Sequence, residues 1–222
     1  MVCYNFSMEN LQKKYDQMQE IYGSKELNSV YGGGCRKNAK VALVFMNPTR
    51  RNVATSKSWA GIKAQWLGTK QIWDFLTKCG LFGEKLNSKI KAMKPNEWTP
   101  QFCEDVYAEV EKNGLWITNL AKCSQDDARP LSDEVFLQYK DLLLEELEKV
   151  EPKKIFFFGN QVASIVLNEK IAVSTCRKKA FFLKLGKKQV QCYALFYPVG
   201  NGRFNQSKSV EDIRNILQIK DQ

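Results

Sequence analysis

Residues 41–48 read VALVFMNP and run straight into TRRN at 49–52. From Val41 to Met46 the side chains are apolar without a break, Asn47 adds an amide, and Pro48 follows. Such a run, partly β-branched and bounded by turn chemistry, predicts a strand buried on both faces. Proline cannot donate to a ladder, so the sheet ends there. The strand therefore carries Asn47, Thr49, Arg50, Arg51 and Asn52 to its carboxyl end, the edge where open α/β sheets bind ligands. Alone, the stretch is equally a buried strand with an ordinary proline turn; the segments downstream give it meaning.

At 222 residues the chain reads as one domain, 1–222, long enough to bury about 70% of its unfolded surface without covalent staples. The opening MVCYNFSMEN lacks the basic start and apolar core of a signal peptide, and no stretch approaches the ~20 apolar residues of a membrane span. The cysteines number seven, an odd count, and form no C-x-x-C pair. Reduced thiols in a cytosolic or nuclear compartment are expected. With no His in the chain, zinc and iron–sulfur ligation are not expected, and every Ser-His-Asp or Cys-His mechanism is excluded. Any chemistry falls to carboxylate, amide, hydroxyl, lysine or backbone groups. Thirty-four Lys and Arg against 24 Asp and Glu leave a net charge of +10 and a pI near 9.2. That excess suits a polyanionic partner gripped through its phosphates.

Residues 7–22, SMENLQKKYDQMQEIY, predict a helix capped by Ser7, with Leu11, Tyr15, Met18 and Tyr22 at helical spacing. Gly32-Gly33-Gly34 lacks a G-K-[ST] ending and is assigned to a bend. Segment 49–68 has no period but holds Trp59 and Trp66; loops of that length in a compact domain are usually functional. A helix is expected over 70–79, ended by Gly80. A basic, irregular stretch covers 83–98, and a third helix opens at Thr99-Pro100 and closes at Asn113-Gly114. LWITNL at 115–120 is a second strand with Asn119 near its carboxyl end, and 124–130 is a turn-rich loop with a single Arg129. Ser132 caps a helix over 133–150. KIFFF at 154–158 is a third strand, and Gly159-Asn160 leads directly into the next helix; such a turn offers free N–H groups to a phosphate, or is simply a strand-to-helix turn. A basic hairpin, FFLKL and QVQCYALF about a turn at 186–188, ends in the fourth core strand. Tyr197-Pro198, the glycine-rich loop VGNGRFN and a last helix over 210–219 follow. Alternating strands and helices predict an α/β fold: a three-layer α/β/α sandwich around a central, mainly parallel four-stranded sheet.

Four segments then converge on one sheet edge: MNPTRRN, TNLAKC, the Gly159-Asn160 turn and YPVGNGRFN. In order and element type this set resembles the uracil-DNA glycosylase superfamily over residues 40–205. MNPTRRN looks like the glycine-x-Asn-Pro-glycine signature of the mismatch-specific and single-strand-selective branches. LWITNLAKC, followed by RPLSDEVF and PKKIFFFGNQVASIVL, is more similar to the thermophilic iron–sulfur branch.

The resemblance implies a monofunctional glycosylase that removes uracil from DNA for base excision repair, acting as a monomer without cofactor. Asn47 would position the attacking water, and Asn119 would read the base edge. Met46 and Pro48 border the same pocket. Trp66, in QWLG, stands where the family has the Phe of P-F-x-G and would stack on the flipped base; Trp59 is the alternative. Tyr197 takes the place of the His of a His-Pro-Ser motif. Gly159 and Asn160 match the phosphate-gripping turn, Arg50 and Arg51 lie beside it, and Asn201, Gly202, Arg203 and Phe204 match the loop that wedges into the duplex. Base excision needs these parts: the base must leave the stack, enter a closed pocket and be read there, while cations grip phosphates and a wedge fills the gap.

The departures are specific. Phe45 and Thr49 replace the two glycines around the Asn-Pro pair, Tyr197 replaces the His, and Cys123 alone matches the cluster cysteines, so no cluster is expected. Thr49 and the lost His leave room for a deaminated purine such as hypoxanthine as substrate, or for a non-catalytic DNA binder on the same fold.

Overall fold

The computed structural model describes residues 2–128 and 131–219; Arg129 and Pro130, at the end of the turn-rich loop, lie outside the described residues. The strands are β1 Gly33–Gly34, β2 Val41–Phe45, β3 Leu115–Asn119, β4 Lys154–Phe158, β5 Phe181–Leu185 and β6 Lys188–Leu195. The helices are α1 Val2–Tyr22, α2 Gln71–Lys78, α3 Glu84–Ala92, α4 Pro100–Lys112, α5 Asp133–Val150, α6 Asn160–Leu167 and α7 Gln206–Leu217.

All five residues of β2 are fully buried, as the unbroken apolar run requires. Val41, Leu43 and Phe45 enter one core with α2, α3, α4 and α7; Ala42 and Val44 enter the other with α1, α5 and α6. This is the three-layer arrangement, with the sheet as the middle layer. Strand order is β1-β3-β2-β4-β6-β5. The four strands β3, β2, β4 and β6 are parallel, whereas β1 and β5 pair antiparallel at the two edges. The sheet thus has six strands, not four. The parallel quartet is as expected; β5 is the outer arm of the basic hairpin, and β1 is the glycine run read as a bend. Two glycines carry no hydrophobic signal, so only their pairing with Ile117 and Trp116 reveals a strand.

From β2 the chain crosses to β3 on one side, and from β4 it crosses to β6 on the other. Adjacent loops therefore diverge at the carboxyl ends of β2 and β4, the switch point at which such sheets open a crevice.

Three helix expectations need correction. The helix read as beginning at Ser7 starts at Val2, so Ser7 lies inside it; a Ser near an acidic residue occurs within helices as well as at caps. The segment read as irregular contains α3, in which only Asn87 and Ile90 are buried, too thin an apolar stripe to set a period. The last helix spans Gln206–Leu217, and before it Gly200–Asn205 forms a 3-10 helix in place of an open loop.

Candidate active site

The chain beyond β2 does not leave the sheet at once. Leu120 N–H donates to Phe45 O at 2.8 Å and Ala121 N–H to Met46 O at 3.0 Å. Further out, Gln125 N–H donates to Pro48 O at 3.1 Å and Arg50 N–H to Gln125 O at 2.9 Å. The two strand tails are thereby zipped together, with Met46 and Asn47 half-buried and Pro48 buried. Asn47 Nδ2 donates to Pro48 O at 3.2 Å. Since Asn119 is the register partner of Phe45, both amides stand at the same rim of the sheet.

Asn119 is 1% exposed. Its Nδ2 donates to Gln65 Oε1 at 2.9 Å, and Gln65 Nε2 donates to Val30 O at 3.0 Å. Asn119 Oδ1 is buried and has no partner among the described residues. Behind it, the Asn119 carbonyl accepts from Lys122 Nζ, which pairs with Glu146 at 2.9 Å; both side chains are essentially inaccessible. Glu146 also accepts from Tyr15 Oη and Trp116 Nε1, each at 2.8 Å. Burial lowers the Lys122 pKa, and Glu146 works against that shift. A buried ion pair survives only with such added hydrogen bonds; here they brace the Asn119 peptide.

An aromatic group surrounds Phe45, the register partner of Asn119. Phe45 meets Trp66 edge-on at 5.0 Å, Tyr197 edge-on at 6.1 Å, and stacks on Phe158 at 4.4 Å between centroids. Trp66 and Tyr197 are 6.5 Å apart. Trp66 has φ of +64°, a left-handed backbone that is uncommon for a bulky residue and tends to mark functional sites. Its carbonyl accepts from Thr69 N–H, Thr69 Oγ1 and Trp73 Nε1, which hold the bend. Trp59 is not in this group. Its indole N–H donates to Ile62 O at 3.0 Å, and its ring lies against Gly61, closing its own loop.

Tyr197 makes no hydrogen bond to a described residue, and burial pushes its phenol pKa well up, so it stands as a neutral donor. A Cβ on Gly159, whose φ is +97°, would lie 3.9 Å from the Tyr197 ring; the turn and the tyrosine are neighbours. The Asn160 side chain is committed to Val173 N–H at 3.0 Å, leaving the backbone of the helix start to meet an anion. Arg50 is committed too: its guanidinium binds Asp126, with Nε at 2.9 Å. Arg51 is exposed and unpaired among the described residues. Asn201, Arg203 and Phe204 are exposed, Phe204 at 81%, with the Arg203 guanidinium 5.5 Å over its ring. Gly202 packs on the Tyr197 carbonyl, where an added Cβ would fall 2.0 Å from the oxygen.

A family model described as the uracil DNA glycosylase superfamily matches residues 32–219. The chain belongs to the uracil-DNA glycosylase superfamily. No curated protein matches it. Membership in this superfamily makes a DNA glycosylase the expected activity and DNA the expected partner. No helix among the described residues is long and apolar enough to cross a membrane.

Cys123, which matches one cluster position of the iron–sulfur branch, is buried, and among the described residues no group of three acidic or cysteine side chains could hold a metal ion. A groove of about 420 Å³ lies elsewhere, beside Gly32–34 between α1 and α4, and none of the predicted site residues lines it. Sequence reasoning did not find Gln65, Lys122 or the wall formed by Phe45. Gln65 precedes Trp66, where the superfamily's P-F-x-G has Pro, and that substitution was the available signal. Nothing marks Lys122 among 34 basic residues until the fold buries it.

Proposed function

We propose that the protein is a monofunctional DNA glycosylase that hydrolyses the N-glycosidic bond of uracil in DNA. The observation that carries this reading is the buried, unpartnered Oδ1 of Asn119, the register partner of Phe45, whose ring packs against Trp66 and Tyr197. A buried acceptor without a partner is costly, and a flipped base with a ring N–H supplies the missing donor. Trp66 and Phe45 offer aromatic surface to the base, and Asn47 holds water at the sugar face. As the bond from C1′ to the base breaks, positive charge gathers on the sugar and negative charge on the base. Water adds its oxygen to C1′, and its proton ends on the departing base. Tyr197, held neutral by burial, donates toward the base carbonyl and eases its departure. Arg51, the Gly159 turn and the 201–204 segment engage the phosphates and the gap in the duplex.

Hypoxanthine presents the same N–H beside a carbonyl, so Asn119 would serve it as well if the aromatic walls admit a purine. The test is incubation with single- and double-stranded oligonucleotides holding one uracil or one hypoxanthine, followed by hot alkali. Uracil-dependent cleavage is expected, with losses of about a hundredfold or more in Asn47→Ala and Asn119→Ala. Tight, salt-sensitive binding without alkali-labile sites would make the protein a binder instead.

A further inference from the structure

We propose that Gln65 is a positioning residue that fixes which way round the Asn119 amide sits, restricting the pocket to bases with a ring N–H next to a carbonyl. The inference rests on the glycosylase reading and adds the device that sets its specificity. An amide can usually turn over and exchange its donor and acceptor ends. Here it cannot. The Val30 carbonyl only accepts, so the atom facing it at 3.0 Å must be Gln65 Nε2. That leaves Oε1 toward Asn119, which must answer with Nδ2, at 2.9 Å. Oδ1 is the atom left over, buried and unpartnered. Turning Asn119 alone would set two acceptors face to face, and turning both amides would set Gln65 Oε1 against the Val30 carbonyl.

The anchor is firm. Val30 is fully buried and its N–H donates to Lys122 O at 3.0 Å, while the Gln65 carbonyl accepts from Tyr107 Oη at 2.8 Å. Val30, Gln65 and Asn119 thus form a one-way relay with its open end toward the base.

Uracil meets that end with N3–H on Oδ1 and O4 on the second Nδ2 hydrogen; hypoxanthine does so with N1–H and O6. Cytosine and adenine carry a bare ring nitrogen there and leave acceptors opposed. The substrate class is therefore the deaminated bases, with the aromatic walls deciding size. The Pro of the P-F-x-G pattern has no side chain that could perform this task.

The experiment measures single-turnover release of uracil and of cytosine from otherwise identical single-stranded oligonucleotides by the wild type, Gln65→Met and Gln65→Glu. Folding is checked by thermal melts. In Gln65→Met the relay is cut, Asn119 can turn, and the uracil-to-cytosine rate ratio is expected to fall at least tenfold. Gln65→Glu, buried and therefore protonated, can donate to Val30 and accept from Asn119, and is expected to keep the ratio. An unchanged ratio in folded Gln65→Met, whatever its overall rate, overturns the inference and leaves the glycosylase reading standing. A wild type inert on uracil and hypoxanthine overturns both. If Gln65→Met does not fold, 3-methyluracil in the wild-type substrate decides: both carbonyls remain and the ring N–H is replaced by N–CH3, and release as fast as uracil overturns the fixed polarity.

Discussion

Asn119 Oδ1 buried without a partner costs the folded protein on the order of 1–3 kcal/mol. In the proposed complex a base N–H recovers that cost, which would make the residue worth more to activity than to stability. Asn119→Ala removes one orphaned acceptor but leaves Gln65 Oε1 without its donor, so the chemical denaturation midpoint is expected to change little while uracil release falls, a pair of measurements that separates site from scaffold. Tyr197 has no partner to lose, and burial holds its phenol above the ordinary value near 10, so it never becomes a phenolate in the working range. Tyr197→Phe should slow release about tenfold, the worth of one neutral hydrogen bond. The rate–pH profiles of wild type and variant should show no tyrosine limb below about pH 10. At this scale the sequence was partly legible. The two amides and Trp66 stood out because polar or aromatic residues bordered apolar runs, whereas Gln65 acquires meaning only through a hydrogen bond to a residue 54 positions away.

The elements were legible where an apolar pattern was long. β3, β4 and α5 agree with their apolar runs to within a residue and β2 ends two residues short of Asn47; β1 and α3, with little or no apolar surface, do not. α3 is instead tied to α2 by charge. Asp74 binds Lys78 at 2.8 Å and Lys91 besides, and Asn87 approaches at 3.5 Å. Burial alone would raise the Asp74 pKa, but these bonds outweigh it and bring the value to about 2. A carboxyl depressed in the folded state lends stability above its unfolded pKa, and that stability is lost as pH falls through about 4 toward 2. Asp74→Asn should therefore destabilise by about 2 kcal/mol at pH 7, and the difference from wild type should shrink toward zero near pH 2, as denaturant titrations at both pH values would reveal. The Lys122–Glu146 pair behaves differently: Glu146→Leu strands a buried cation and should cost about 3–5 kcal/mol, most of it regained in the double variant with Lys122→Met.

Across the whole molecule, the +10 charge signals a polyanionic partner but does not say where it lies. Fold and site together sort the cations. Arg50 is neutralised by Asp126, while Arg51 next to it is exposed. In DNA-binding titrations against salt, Arg51→Ala should weaken affinity for all sequences alike and reduce the slope of log K on log salt by about one; Arg50→Ala should change it less. No single-chain pattern could have made that distinction, because Asp126 reaches Arg50 only through the zipped strand tails.

One contact has a mechanical meaning. Gly202 rests directly on the Tyr197 carbonyl, two residues before the exposed Phe204 tip. In the proposed complex a tip that enters a helix therefore lies one glycine from the backbone that carries the phenol. Gly202→Ala must force that contact apart, and if the tip serves the duplex as proposed, the variant should lose more uracil release on double-stranded than on single-stranded DNA.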